Sequence, residues 1–121
     1  MHLSADTVYA VSQEGEFPNT VGFQDTEADY CVSLARFSDL TPDRGTIDLV
    51  VCDQIHVETA NLRLELSRSR CVLRLDQEAA AKLSGIDEYT IDCQADDETY
   101  EKVTELLRVI FTGLPGLTIV A

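Results

Sequence analysis

The chain has 121 residues and a mass of 13.4 kDa, enough for one domain and too few for two ordinary ones. Twenty-two Asp and Glu stand against nine Lys and Arg, giving a net charge of −13 and a pI near 4.2. Affinity for nucleic acid and for anionic lipid depends on Lys and Arg displacing counterions, so this balance argues against both as partners. It suits a basic protein partner, whose field it complements, and it equally suits plain solubility.

The opening MHLSADTVYAVSQ has no basic segment leading into an apolar run, so a secretory signal is not expected. Apolar stretches run to only a few residues, too short for a membrane span, and the expected location is the cytoplasm. Cys31, Cys52, Cys71 and Cys93 show no C-x-x-C spacing and no zinc-finger histidines. They read as small buried hydrophobes with reduced thiols.

Along the chain, Thr7 to Val11 and Thr20 to Gln24 are short strand candidates, the second following the Pro18-Asn19 turn signal. After the acidic stretch Asp25 to Asp29, Tyr30 to Phe37 alternates as a strand, with Tyr30, Val32 and Leu34 on one side. Ser38 to Gly45 reads as a loop, and Ile47 to Cys52 as a strand buried on both faces. Leu62, Leu64 and Leu66 alternate with Arg63 and Glu65. After Ser67-Arg68-Ser69 come Cys71, Leu73 and Leu75, so the pair predicts a β-hairpin with one wet face. Either Arg63 or Arg74 is placed to pair with Glu65 across it.

Asp76 is the expected N-cap of a short helix over about 76–84, with Ala79, Ala80 and Leu83 inward and Gly85 as its stop. Tyr89, Ile91 and Cys93 alternate as another strand. Asp96 then caps a longer helix over about 97–112, with Asp97 and Glu98 in the first turn. Its apolar stripe is Tyr100, Val103, Leu106, Leu107, Ile110 and Phe111, and Gly113 and Pro115 end it. The tail Leu117 to Val120 either adds a last strand or frays. Strands followed by helices predict an α+β domain over residues 1–121: a largely antiparallel β-sheet with both helices packed on one face.

Catalytic machinery is hard to find. There is no G-x-G-x-x-G, no phosphate-binding P-loop and no G-x-S-x-G elbow. His2 sits at a terminus expected to fray, which leaves His56 as the candidate general base. A Cys52–His56 dyad with Asp53 nearby would activate the thiol, but residues four apart on a strand stand too far apart for direct hydrogen bonding. Packing is the preferred role for Cys52. Asp25, Glu27 and Asp29 offer alternate oxygens to a hard cation, yet lack the central Gly and distal Glu of a calcium loop, so a solvated acidic loop is preferred. No enzyme activity, metal or cofactor is expected.

From Asn61 to Gly113, the hairpin NLRLELSRSRCVLRL, the segment DQEAAAKLSG, the strand EYTIDCQ and the helix DDETYEKVTELLRVIFTG resemble the tenth immunity-protein family of bacterial polymorphic toxin systems. The pattern is carried by Leu75-Asp76, Glu78-Ala79-Ala80, Leu83 before Gly85, Leu107-Arg108 and Ile110-Phe111. The resemblance implies a non-catalytic protein that binds and neutralises a cognate toxin. Acidity adds that the toxin's contact face is basic, and that the acidic chain stands in there for the phosphate backbone. Candidate partner-binding residues are Asp25, Glu27, Asp29 and Tyr30 in one loop and Asp39 and Asp43 in another. The helix face of Glu98, Glu101 and Glu105 reads as solvated surface. The alternative function is a structural or adaptor protein acting as a homodimer through a strand edge or the tail.

Overall fold

The computed structural model describes residues 1–37, 45–52 and 54–120. In chain order the elements are β1 (His2–Ala5), β2 (Thr7–Val11), β3 (Asn19–Asp25), β4 (Tyr30–Arg36), β5 (Ile47–Val51), β6 (Ile55–Thr59), β7 (Arg63–Leu66), β8 (Arg70–Arg74), α1 (Gln77–Lys82), β9 (Glu88–Cys93), α2 (Asp97–Ile110) and β10 (Leu117–Ile119). The class is α+β and the pairing is largely antiparallel, as expected. The strands, however, divide into two five-stranded sheets. Alternation in a sequence reports which side of a strand is wet, but not which sheet the strand joins.

The first sheet is an antiparallel meander, β2-β3-β4-β5-β6. Its register aligns Val8, Phe23, Val32, Val51 and Ile55 in one row and Ala10, Val21, Leu34, Leu49 and Val57 in the next. These rows form its inner face. The expected strand buried on both faces is corrected here: β5 alternates, with Ile47, Leu49 and Val51 buried and Asp48 and Val50 half-buried. Sequence reading had no strand at β6, where Val57 and Thr59 are buried among exposed neighbours.

The second sheet runs β1-β9-β8-β7-β10. Its centre is the expected hairpin β7–β8 with β9 added antiparallel, and a parallel strand closes each edge. Leu3, Ile91, Cys71, Leu66 and Ile119 form one inner row. The tail therefore adds a strand, and His2, expected at a frayed end, belongs to one as well. Its Nε2 lies 2.6 Å from the Asp92 carboxylate, and Arg70 Nε donates to the same carboxylate at 2.9 Å. The expected pairing of Arg63 or Arg74 with Glu65 gives way to a looser Arg74–Glu88 approach at 4.0 Å. Register explains this, since Arg74 stands opposite both Arg63 and Glu88, while Glu65 stands opposite Val72.

Both inner faces belong to one continuous apolar core. Helix α2 packs against β2, β3 and β4 and touches β10, burying Val103, Leu106, Leu107 and Ile110. Asp76 and Asp96 are the N-caps, accepting the Ala79 and Thr99 N–H at 2.8 and 2.7 Å. At the other end of α2, Arg36 donates to the Ile110 and Thr112 carbonyls, both at 2.8 Å, placing a cation at the negative end of the helix. The β7–β8 turn holds the front of α2: Arg68 pairs with Asp97 and lies 4.8 Å from the Tyr100 ring centre.

Candidate interaction surface

The acidic turn between β3 and β4 separates into structural and exposed residues. Asp25 accepts the Ser4 N–H at 2.9 Å and the Ala28 N–H at 3.0 Å, and these bonds hold its carboxyl below the usual range. It ties β1 of the second sheet to β3 of the first. Tyr30 is half-buried, and its hydroxyl meets that of fully buried Tyr89 at 2.8 Å. Burial pushes the pKa of both hydroxyls up. Glu27 and Asp29 are exposed on the turn, with Asp29 at φ 52. Asp39 and Asp43 fall outside the described residues, as does the expected loop they belong to.

Cys52 and His56 serve different neighbourhoods. Cys52 packs half-buried against the core at φ 54, just past β5, and its N–H donates to the Cys31 carbonyl at 2.9 Å. His56 lies on the outer face of β6 with its Nδ1 3.3 Å from Asp48. All four cysteines stand as thiols, Cys71 and Cys93 buried and Cys31 and Cys52 half-buried. Burial pushes the Cys71 and Cys93 thiols up, away from the reactive thiolate. Among the described residues no three His, Cys, Asp or Glu side chains gather as a metal cluster.

The feature missed by sequence reading is the arm joining β2 to β3. The register that sets Val11 opposite Thr20 continues outward to Glu14 opposite Phe17, which exchange backbone hydrogen bonds at 3.0 and 2.9 Å. Gly15 and Glu16 form the two-residue turn. Gly15 has φ 58 while Glu16 stays negative, the arrangement that asks for glycine at the first central position. At the base of the arm, buried Asn19 accepts the Gln13 N–H at 2.8 Å and donates to the Arg36 carbonyl at 3.3 Å. On this stapled arm Phe17 is 74% exposed. Among the described residues the next most exposed large apolar side chain is Met1 at 48%. Glu14-Gly15-Glu16-Phe17 is a legible turn signal, with Gly between polar residues and an aromatic beside it.

Asn19 and Val21 are buried on the side of β3 on which α2 packs, and Phe17 lies two residues before Asn19 on the arm. Ser12, on the same arm, lines a groove of about 280 Å³ with Glu98, Glu101, Lys102, Glu105 and Leu106 of α2. Glu98, Glu101 and Glu105 are exposed and three or four residues apart, hence on one helix face. Glu14 stands opposite Phe17 and Glu16 precedes it, so the arm adds two carboxylates to the three of the helix face, against the one ammonium of Lys102.

Elsewhere the surface is mixed. The outer face of the second sheet alternates Arg63, Arg70 and Arg74 with Glu65, Glu88 and Asp92, and a hollow of about 790 Å³ includes Arg63, Glu65 and Arg74 in its lining. Residues 1–61 hold eleven acidic and two basic side chains, whereas residues 62–121 hold eleven and seven. The charge excess therefore belongs mainly to the meander half. Comparison with models of known protein families, with curated proteins and with solved structures finds no match. Among the described residues no helix is long and apolar enough to cross a membrane.

Proposed function

We propose that the chain is a bacterial immunity protein of the cytoplasm, which binds a cognate polymorphic toxin domain and neutralises it without catalysis. The observation that carries this reading is the Phe17 arm: an uncovered aromatic on a hydrogen-bonded turn that also carries Glu14 and Glu16. Exposed aromatic side chains held in place suit protein contacts, because little conformational freedom is lost on binding. The excess of negative charge supports a basic partner. The resemblance of residues 61–113 to the immunity family supports the same reading.

The test is direct. The chain is mixed with the C-terminal domain of the secreted protein encoded beside it, and binding is followed by calorimetry, with co-expression as the biological readout. A stable complex and rescued growth are expected. No complex and no protection would remove the proposal. A second reading, a homodimeric adaptor, draws on β10, which pairs on one side only and leads into exposed Val120. Light scattering of the isolated chain distinguishes it.

A further inference from the structure

We infer that the toxin-facing surface is the Phe17 arm together with the Glu98, Glu101 and Glu105 face of α2, and that its occupant is a protein with a cationic concave face containing an apolar recess. This rests on the toxin-binding reading above and goes beyond it by naming the face and the chemistry that meets it.

Phe17 stands on the turn just before β3, the strand against which α2 packs, paired with Glu14 across the arm. The ring is 74% exposed. An aromatic of this size gains from leaving water, and a partner supplies that gain. The arm is already fixed by its reciprocal backbone bonds and by the Asn19 staple, so docking orders little that was mobile.

The surrounding charge selects the partner. Glu14, Glu16, Glu98, Glu101 and Glu105 outweigh Lys102. A second copy of the chain would set five carboxylates against five, which like-charge repulsion opposes. Nucleic acid and anionic lipid carry the same sign and are opposed likewise. A basic protein face is the class that completes both the apolar and the ionic halves of the surface. The Glu27–Asp29 turn lies at the far end of the seven-residue β3. At about 3.3 Å per residue it stands roughly 20 Å away. It is the rival acidic surface, and the experiment sets the two against each other.

The experiment measures binding of the neighbouring toxin domain, in its catalytically inactivated form, to four chains: the unmodified protein, Phe17→Ala, the triple Glu98→Gln/Glu101→Gln/Glu105→Gln, and Glu27→Gln/Asp29→Asn. Each exposed substitution should leave the thermal midpoint unchanged, which is checked first. Phe17→Ala is expected to weaken Kd by about 30-fold or more, as a central anchor does. The triple variant should slow association and flatten its salt dependence, and the Glu27/Asp29 variant should bind as the unmodified chain does. Binding by Phe17→Ala and the triple variant within about threefold of the unmodified protein would overturn the surface while leaving toxin binding intact. A thirtyfold loss in the Glu27/Asp29 variant alone would place the interface at the other end of β3 and overturn it too. No binding by the unmodified chain would remove the proposed function, and this surface with it.

Discussion

Tyr30 of the first sheet and Tyr89 of the second join hydroxyl to hydroxyl at 2.8 Å, with ring centres 6.0 Å apart. The contact sits where the two inner faces meet, and Tyr89 is fully buried. Tyr30→Phe would leave the Tyr89 hydroxyl buried without this partner, at a cost of about 1–3 kcal/mol. Tyr89→Phe strands the half-buried Tyr30 hydroxyl and should cost less. The double variant should cost less than the two singles added, because neither hydroxyl then remains to be satisfied. Urea denaturation of the four proteins completes the cycle.

Acid should unfold the protein through a definable set of carboxylates. Asp25, Asp76, Asp92 and Asp96 all lie below the free value of 3.8. The leading causes are the Ser4 N–H for Asp25, the Ala79 N–H for Asp76, His2 ahead of Arg70 for Asp92, and the Thr99 N–H for Asp96. Groups with depressed folded values contribute stability that is complete above the unfolded pKa and is lost as pH falls through the folded one. The thermal midpoint should therefore fall once pH drops below about 4. Asp25→Asn should shrink that fall. At the alkaline end, the raised Tyr30 and Tyr89 values keep their contribution whole below the ordinary tyrosine value of 10.0 and reduce it above.

Gly116 is a packing requirement. A Cβ there would fall on the Leu62 carbonyl oxygen, which is backbone and cannot rotate away. The same residue's carbonyl accepts the Leu64 N–H at 2.8 Å, at the start of the β10–β7 pairing. Gly116→Ala should destabilise by about 2 kcal/mol or more and raise amide exchange along β10 first.

Arg36→Ala removes two charge-assisted bonds from the end of α2. Partial exposure weakens such bonds, so a loss of about 1–2 kcal/mol is expected by urea denaturation. Arg36→Lys should recover only part of it, lacking the planar fork.

What was legible in the sequence followed local chemistry. Asp76 and Asp96 announce both helices because a short carboxylate at a helix start has one evident use. The β7–β8 hairpin shows because one face is wet along its length. His2 as a strand residue did not show, since its pairing partner Thr90 lies far along the chain and four residues carry little pattern. The candidate site was harder. Acidity drew attention to Asp25 and Tyr30, but a carboxylate or hydroxyl in a sequence does not reveal whether it is already engaged. Phe17 was passed over because one aromatic between a glutamate and a proline looks like any loop residue until its exposure on the turn is seen.

The second sheet takes an edge strand from each end of the chain, with the Met1 ammonium 2.6 Å from a carbonyl 87 residues away. Every pairing in the meander, by contrast, joins neighbours in sequence. As the chain leaves the ribosome, the meander can close while β1 still waits for β9. On contact order the meander is expected to form early and the long-range closure of β1 on β9 late. Mutations in β9 should slow folding most, for they remove the template on which the first-made residues finally settle.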